Sequence, residues 1–309
     1  MRVLAVVPGP ADHGVVVHGT AVAELVGARL ARTLERPTGT WDVTHVHFTD
    51  SLFGAGIASS ADAFERWARR GTGPLVVTLH DVPGADPDSE RDARRTEGYR
   101  RVAARADAVV GCSGVEADRL QPRPTVVPLP AVPLAAPGGA PDWAGRTTLG
   151  VLGFLYPGKG HDRVIDAAVG TGATVVALGS ASPGHAPLVA RLQQRARDRG
   201  VELLVTGPLA EADLHAAARA VTVPVAAYST TGASASLLTW VAAGRRPVTT
   251  GGPYARGLDR RWPGSLLLTE DLAAGVRSAL ADPSSTRGAS APATSDVADL
   301  LRGVYASVL

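Results

Sequence analysis

Val151-Leu152-Gly153-Phe154-Leu155-Tyr156-Pro157-Gly158-Lys159-Gly160-His161 joins an apolar run to a glycine-flanked lysine. The run predicts a buried strand over Leu149 to Phe154, and Asp162 to Ala168 predicts a helix behind it. A strand that ends in a Gly/Pro turn and opens a helix offers free backbone N–H groups to an anion, and a lysine in that turn adds a mobile positive charge. Lysine and arginine together number 31, yet Lys159 is the one lysine among them. Asparagine is absent and isoleucine nearly so, the bias of a G+C-rich coding sequence that drifts to arginine wherever either cation serves. An ammonium is a compact point charge and a guanidinium a planar fork, so the one lysine falling in this turn points to a phosphate. A plain surface turn is the competing reading.

At 309 residues the chain can bury two cores of ordinary size. A hydrophobic fraction of 45% with 19% charged residues fits a soluble globular protein, and a net charge of +2 gives no basic field for nucleic acid. One cysteine, Cys112, excludes an internal disulfide framework and fits a reducing compartment. The apolar opening, Val3 to Val7, is too short for a signal peptide, and no run approaches the roughly 18 residues of a membrane span. The expected location is the cytoplasm, without a transmembrane segment; peripheral membrane contact is not favoured, and the oligomeric state is not legible.

Working back from the lysine turn, the first half reads as a strand at Arg2 to Val7, then a polar loop holding His13, Gly14, His18 and Gly19. A helix follows over Thr20 to Leu34. Val43 to Phe48 is a second strand that places His45 and His47 on one face. A helix lies within Leu52 to Arg70, and the strand Leu75 to Leu79 delivers His80 and Asp81 at its carboxyl end. Open parallel sheets bind ligands outside the carboxyl ends of their strands, which puts His80 and Asp81 where chemistry is expected. Asp86 to Arg105 reads as an amphipathic helix whose interleaved charges make a solvated face. Strands at Ala108 to Ser113 and Thr125 to Leu129 flank a short helix over Glu116 to Leu120.

Pro130 to Arg146 is rich in Pro, Ala and Gly and marks a boundary. Forward from it run strands at Leu149 to Phe154, Thr174 to Leu178, Glu202 to Thr206, Val221 to Ala226, Pro247 to Thr250 and Leu266 to Thr269. Helices lie over Asp162 to Ala168, Leu188 to Arg199, Glu211 to Ala220, Ala235 to Ala243 and Leu272 to Ala281. The expected domains are 1–140 and 141–283, then a linker over 284–295, with the helix 296–309 packing back on the first domain. This alternation predicts an α/β protein of two Rossmann-like parallel-sheet domains facing across a cleft.

The residues resemble the retaining GT-B glycosyltransferases. In the second half Val151-Leu152-Gly153 with Lys159-Gly160-His161-Asp162-Arg163-Val164-Ile165-Asp166-Ala167, Val205-Thr206-Gly207-Pro208-Leu209, Val223-Pro224 and Thr239 to Val248 follow that family's pattern. The first half is similar in the glycine loop around Gly19, in Asp42 to Phe48, in Val76 to Asp81, in Ala106 to Ser113 and in Val126 to Pro130. The resemblance implies a nucleotide-sugar donor as substrate and no separate cofactor. Lys159 would hold its diphosphate and His80 would stand near the anomeric carbon, the two catalytic assignments. The donor would be bound by Gly19, Gly153, Lys159, Gly160, Thr231, Gly232, Ser234 and Thr239, with His13, His18 and Asp81 on the acceptor side. Phe154 stands where the family has an arginine, and Thr231 and Thr239 align with its two glutamates. The hydroxyls accept fewer hydrogen bonds than the carboxylates they replace. Arg163, Arg245 or Arg246 would then help Lys159 neutralise the phosphates.

The function this implies is sugar transfer to a hydroxyl of a small-molecule or natural-product acceptor, with retention. A noncatalytic GT-B-like subunit, a partner of another transferase, is the alternative from a different class, and a nucleotide-sugar epimerase keeps the fold and changes the reaction. Ser234 and Ser236 serve equally well as helix caps or phosphate ligands, and His80 has a structural reading as a histidine bonded to a loop carbonyl. His45 and His47 lack a third ligand at metal spacing, so no metal is expected.

Overall fold

The computed structural model describes residues 1–11, 13–35, 39–84, 89–132, 134–228, 232–288 and 294–309. In chain order they form β1 (Val3–Val6), α1 (Gly14–Val26), β2 (Arg29–Ala31), β3 (Val43–Phe48), α2 (Asp50–Phe53), α3 (Ile57–Ala68), β4 (Leu75–Leu79), α4 (Glu90–Ala103), β5 (Ala108–Gly111), α5 (Gly114–Ala117) and β6 (Thr125–Val126). The second series is β7 (Thr148–Leu152), α6 (His161–Ala168), β8 (Thr174–Leu178), α7 (Pro187–Asp198), β9 (Leu203–Val205), α8 (Glu211–Ala220), β10 (Val223–Ala226), α9 (Ala235–Ala242), β11 (Val248–Thr250), α10 (Pro253–Arg261), β12 (Leu267–Thr269) and α11 (Leu272–Ala281). A 3-10 turn (Pro283–Thr286) and α12 (Ser295–Ala306) follow. Two compact units result: Met1–Pro130 with Ala293–Leu309, and Ala131–Pro292.

The first unit is a six-stranded parallel sheet in the order β2-β1-β3-β4-β5-β6. Alternation along the strands separates its two faces. Leu4, Val6, Val46, Phe48, Leu75, Val77 and Leu79 point into a core closed by Phe64 and Trp67 of α3 and Tyr99 and Val102 of α4. On the other face Val3, Val43, Val76 and Val110 pack against Val22 of α1 and Val297, Leu301, Val304 and Tyr305 of α12. Toward the carboxyl ends this second face turns polar, with His45, His47, Thr78, His80 and Cys112, all buried.

The region around His18 and Gly19 is helix rather than the expected loop. Buried Val15, Val16, Gly19, Val22 and Ala23 form one face of α1, which stops at Gly27 in the left-handed region (φ 69°). A side chain at Gly19 would place its Cβ 2.7 Å from Val7 and 3.1 Å from His47. Its bare backbone therefore lets α1 lie directly on the sheet, which accounts for this glycine by packing alone. The expected helix to Leu34 also ends early, and its tail forms the edge strand β2.

The second unit is again a six-stranded parallel sheet, in the order β12-β11-β10-β7-β8-β9. One core joins Leu149, Val151, Val175, Ala177, Val223, Val225 and Val248 to α6, α7 and α11. The other packs Leu152, Val176 and Leu178 against Ala217 and Ala218 of α8 and Trp240 of α9. Residues 131–140, expected with the first domain, belong here: Ala135 N–H donates to Glu211, Ala135 O accepts from the His215 ring, and Gly138 N–H donates to Ala212 O. The expected linker over 284–295 starts inside the unit, since Thr286 is fully buried and its carbonyl accepts from Arg245 and Arg246. Helix α10, opened by Pro253, was not expected from the sequence, because Gly251-Gly252-Pro253 reads as a break.

Candidate active site

In each unit the polar groups collect at the carboxyl ends of the central strands. In the first, β4 runs through His80, whose N–H still donates to Phe48 O at 2.9 Å, before the chain turns at Asp81. Asp81 has φ 53°, a left-handed conformation that non-glycine residues adopt at a cost. Three contacts hold this corner. Tyr99 donates to His80 O at 2.7 Å, Thr49 donates to the Asp81 carboxylate at 3.1 Å, and Arg95 donates to Asp81 O at 3.0 Å while paired with Asp50 at 2.9 Å.

His80 belongs to a cluster of four imidazoles. Its Nε2 lies 3.1 Å from His47 Nδ1 and its Nδ1 lies 3.6 Å from Cys112 Sγ. His45 bridges Thr78 Oγ1 and Tyr305 OH, each at 2.7 Å, and its ring sits 4.6 Å from that of His47. His18 reaches down from α1 with ring centroids 4.9 Å from His80 and 5.3 Å from His47. Burial holds the whole group neutral: it pushes His18 down to about 4 and His45 to about 3, and takes His47 and His80 well below the usual histidine range. Neighbouring imidazoles add to the depression of His45, His47 and His80. Burial likewise raises the Cys112 thiol. At neutral pH His80 is therefore a donor and acceptor without charge.

The remaining first-unit candidates fare differently. His13 is the N-cap of α1, accepting from Val15 N–H at 3.2 Å, and His18 stands on the helix, so neither lies on a gating loop. Gly19 faces Val7 and His47. What the sequence reading missed is Cys112 beside His80. Leu79 pairs with Gly111 in register, so the next residues on β4 and β5 are these two, a juxtaposition legible only once the strands are known to be neighbours.

In the second unit the lysine turn closes β7. Lys159 is 5% exposed. Its Nζ donates to Ser236 Oγ at 2.8 Å and lies 4.5 Å from the centre of the Tyr228 ring and 5.8 Å from that of Tyr156. Ser236 also meets Tyr228 OH at 2.6 Å and Ser234 Oγ at 3.2 Å. Among the described residues no carboxylate pairs with Lys159, and its charge faces the Ser236 hydroxyl and two aromatic rings. Gly153 faces the lysine: a Cβ there would lie 3.1 Å from Nζ. Gly160 caps α6 with φ 91°, and a Cβ on it would fall 2.1 Å from Ala227 O, so only glycine fits between α6 and the end of β10.

Ser234 caps α9, accepting from Leu237 N–H, and Thr239 spends its proton on Ala235 O one turn back. Gly232 lies just ahead of that cap; Thr231 lies outside the described residues. Phe154 is exposed at the end of β7. The arginines expected to stand in for the missing one bond to backbone carbonyls. Arg163 donates to Ala227 O and Tyr228 O. Arg245, 2% exposed, donates to the carbonyls of Ala218, Arg219, Val221 and Thr222. Arg246 donates to Ser285 O. These cations hold backbone, because buried carbonyls at helix and strand ends need donors.

A cavity of about 350 Å³ continues this carboxyl edge past β11 and β12, bounded by Thr250, Gly251, Gly252, Arg256, Thr269 and Glu270. A larger one, about 480 Å³, is lined by the paired Arg146 and Glu202 at the amino ends of β7 to β9, the edge opposite the one where parallel sheets hold ligands.

This architecture matches solved structures. HepE from Anabaena, in complex with UDP and glucose, superposes with a TM-score of 0.69 at 16% identity, over 100% of this chain and 95% of that one. The chain has the GT-B fold. Other GT-B structures agree. Sucrose-phosphate synthase from Thermosynechococcus elongatus gives 0.69 at 13% identity over 100% and 95% of the two chains. WaaG, a glycosyltransferase involved in lipopolysaccharide biosynthesis, gives 0.59 at 13% over 99% and 95%. No protein-family model and no curated sequence matches the chain. Among the described residues no helix is long and apolar enough to cross a membrane.

Proposed function

We propose that this GT-B chain is a glycosyltransferase that moves a sugar from a nucleotide-sugar donor to an acceptor hydroxyl, with retention, the acceptor being a small molecule or natural-product intermediate. The observation that carries the reading is Lys159, a buried ammonium that pairs with no carboxylate among the described residues, in the turn that opens α6 at the carboxyl edge of the sheet. A diphosphate supplies the anion that such a cation lacks, and the backbone N–H groups of α6 add to it. HepE, of the same fold, was solved with UDP and glucose and with UDP-glucose.

In this reading the second unit holds the donor through Lys159, Gly153, Gly160 and the hydroxyls of Ser234, Ser236 and Tyr228. Departure of the nucleoside diphosphate is eased by the positive charge beside its phosphate. In the first unit neutral His80 is the proposed sugar contact, through Nδ1 once that atom gives up Cys112. A thermal-shift series with UDP-, GDP-, ADP- and dTDP-sugars tests this. One nucleotide class is expected to stabilise the protein, with the shift lost in Lys159→Ala; no shift with any of them refutes the reading.

A second reading, a GT-B-like subunit that binds a nucleotide-sugar without turning it over, is favoured by Phe154, Thr231 and Thr239 and by the commitment of Arg163, Arg245 and Arg246 to backbone carbonyls. Slow hydrolysis of the stabilising donor, assayed by release of free nucleoside diphosphate, separates the two.

A further inference from the structure

We propose that His18, His80 and Cys112 form a binding site for a thiophilic divalent cation of the zinc class. One donor atom from each of the three lies within 4.8 Å of the others. Tetrahedral zinc with nitrogen at about 2.0–2.1 Å and thiolate at about 2.3 Å needs donor separations of roughly 3.3–3.7 Å. The His80 Nδ1 to Cys112 Sγ distance, 3.6 Å, already meets that requirement, and the His18 donor, within 4.8 Å of both, has to move about 1 Å to reach it.

The surroundings fit a cation rather than a hydrogen-bonded core alone. His80 Nε2 is engaged by His47 Nδ1 at 3.1 Å, which fixes the ring and turns Nδ1 toward the thiol. Metal-bound histidines are oriented this way by a partner on the second nitrogen. His47 is fully buried and its Nε2 has no hydrogen-bond partner among the described residues, so the network stops short of satisfying its members. His80 and Cys112 are buried and His18 is largely so. Two imidazoles and a thiol, without a carboxylate among the three, select zinc-class ions over magnesium or calcium. Binding replaces the S–H bond of Cys112 by a sulfur–metal bond and releases the proton to solvent, and a fourth coordination position stays open.

The metal site shares His80 with the sugar-transfer reading, and a metal on Nδ1, with Nε2 held by His47, leaves that ring no atom for a sugar. The test uses Co²⁺ as a spectroscopic probe on the full-length protein. One equivalent is expected to give thiolate-to-cobalt charge-transfer absorption and tetrahedral d–d bands, both removed by Zn²⁺. Cys112→Ser is expected to abolish the charge-transfer band, and His18→Gln to weaken Co²⁺ binding at least tenfold while keeping that band. Circular dichroism and metal-free thermal unfolding check that each variant is folded, and His18→Gln, on a helix rather than in the sheet, carries the test where Cys112→Ser does not fold. No charge-transfer band in the wild-type protein, a band that persists in Cys112→Ser, or unchanged affinity in His18→Gln overturns the proposal.

Discussion

Lys159 Nζ lies 4.5 Å from the centre of the Tyr228 ring, so the chain's one lysine is held against an aromatic face brought in by the loop after β10. Such contacts contribute about 0.5–2 kcal/mol when partly desolvated. Tyr228→Leu is expected to weaken nucleotide binding several-fold and Tyr228→Phe less, because Phe keeps the ring and loses only the bond to Ser236. Lys159→Ala is expected to weaken it at least tenfold, about 1.4 kcal/mol. Titration calorimetry with the stabilising nucleotide reads all three; equal affinities across the set would remove the cation from the site.

Phe154 occupies the position where the resemblance to GT-B transferases implies an arginine, and it is exposed, so a longer side chain is accommodated. Phe154→Arg is expected to tighten nucleoside diphosphate binding several-fold and to steepen its dependence on salt, since a second cation joins Lys159. Affinity measured at low and high salt checks this. An unchanged affinity would place the phosphates elsewhere.

Gly160 has no tolerance for a side chain. Its φ of 91° and the 2.1 Å separation between an added Cβ and Ala227 O combine backbone strain with a clash against main chain. Gly160→Ala is expected to destabilise the second unit by about 2 kcal/mol or more, measured by urea unfolding.

Acid should loosen both units. Burial lowers His45 to about 3, and burial with the nearby Lys159 charge lowers His161 to about 4, whereas in the unfolded chain each titrates near about 6.5. Between these values the unfolded state binds more protons, so stability is full above pH ~6.5 and declines as pH falls toward the folded values. Each group contributes up to about 1.4 kcal/mol per pH unit. Urea unfolding at a series of pH values is expected to show this slope, and His161→Gln to flatten it in the second unit.

Much of the architecture could be read from the sequence because buried parallel strands are short apolar runs punctuated by Gly and Pro. The runs at Val43 to Phe48, Leu75 to Leu79 and Thr174 to Leu178 recur as β3, β4 and β8. Helix α1 was obscured because His13, Gly14, His18 and Gly19 look like loop residues, while their reasons are tertiary: one caps the helix and another removes a clash with Val7. Lys159 stood out by its rarity. The roles of Arg163, Arg245 and Arg246 were invisible, since no local pattern reveals that a guanidinium caps carbonyls distant in sequence. Cys112 needed strand order to bring it to His80.

Tyr305 fixes His45 from α12. Tyr305→Phe would leave His45 Nδ1 buried without its partner and is expected to cost about 1–3 kcal/mol, seen as an earlier first-unit transition in denaturant.

The same contact orders events during synthesis. Tyr305 and the apolar face of α12 complete a core whose sheet was made from residues 3 to 126, and the whole second unit lies between them in the chain. The second unit leaves the ribosome in one stretch and can fold as it emerges. The first must wait with one face of its sheet uncovered until the last helix is released, which makes it the part of the nascent protein most in need of chaperone protection.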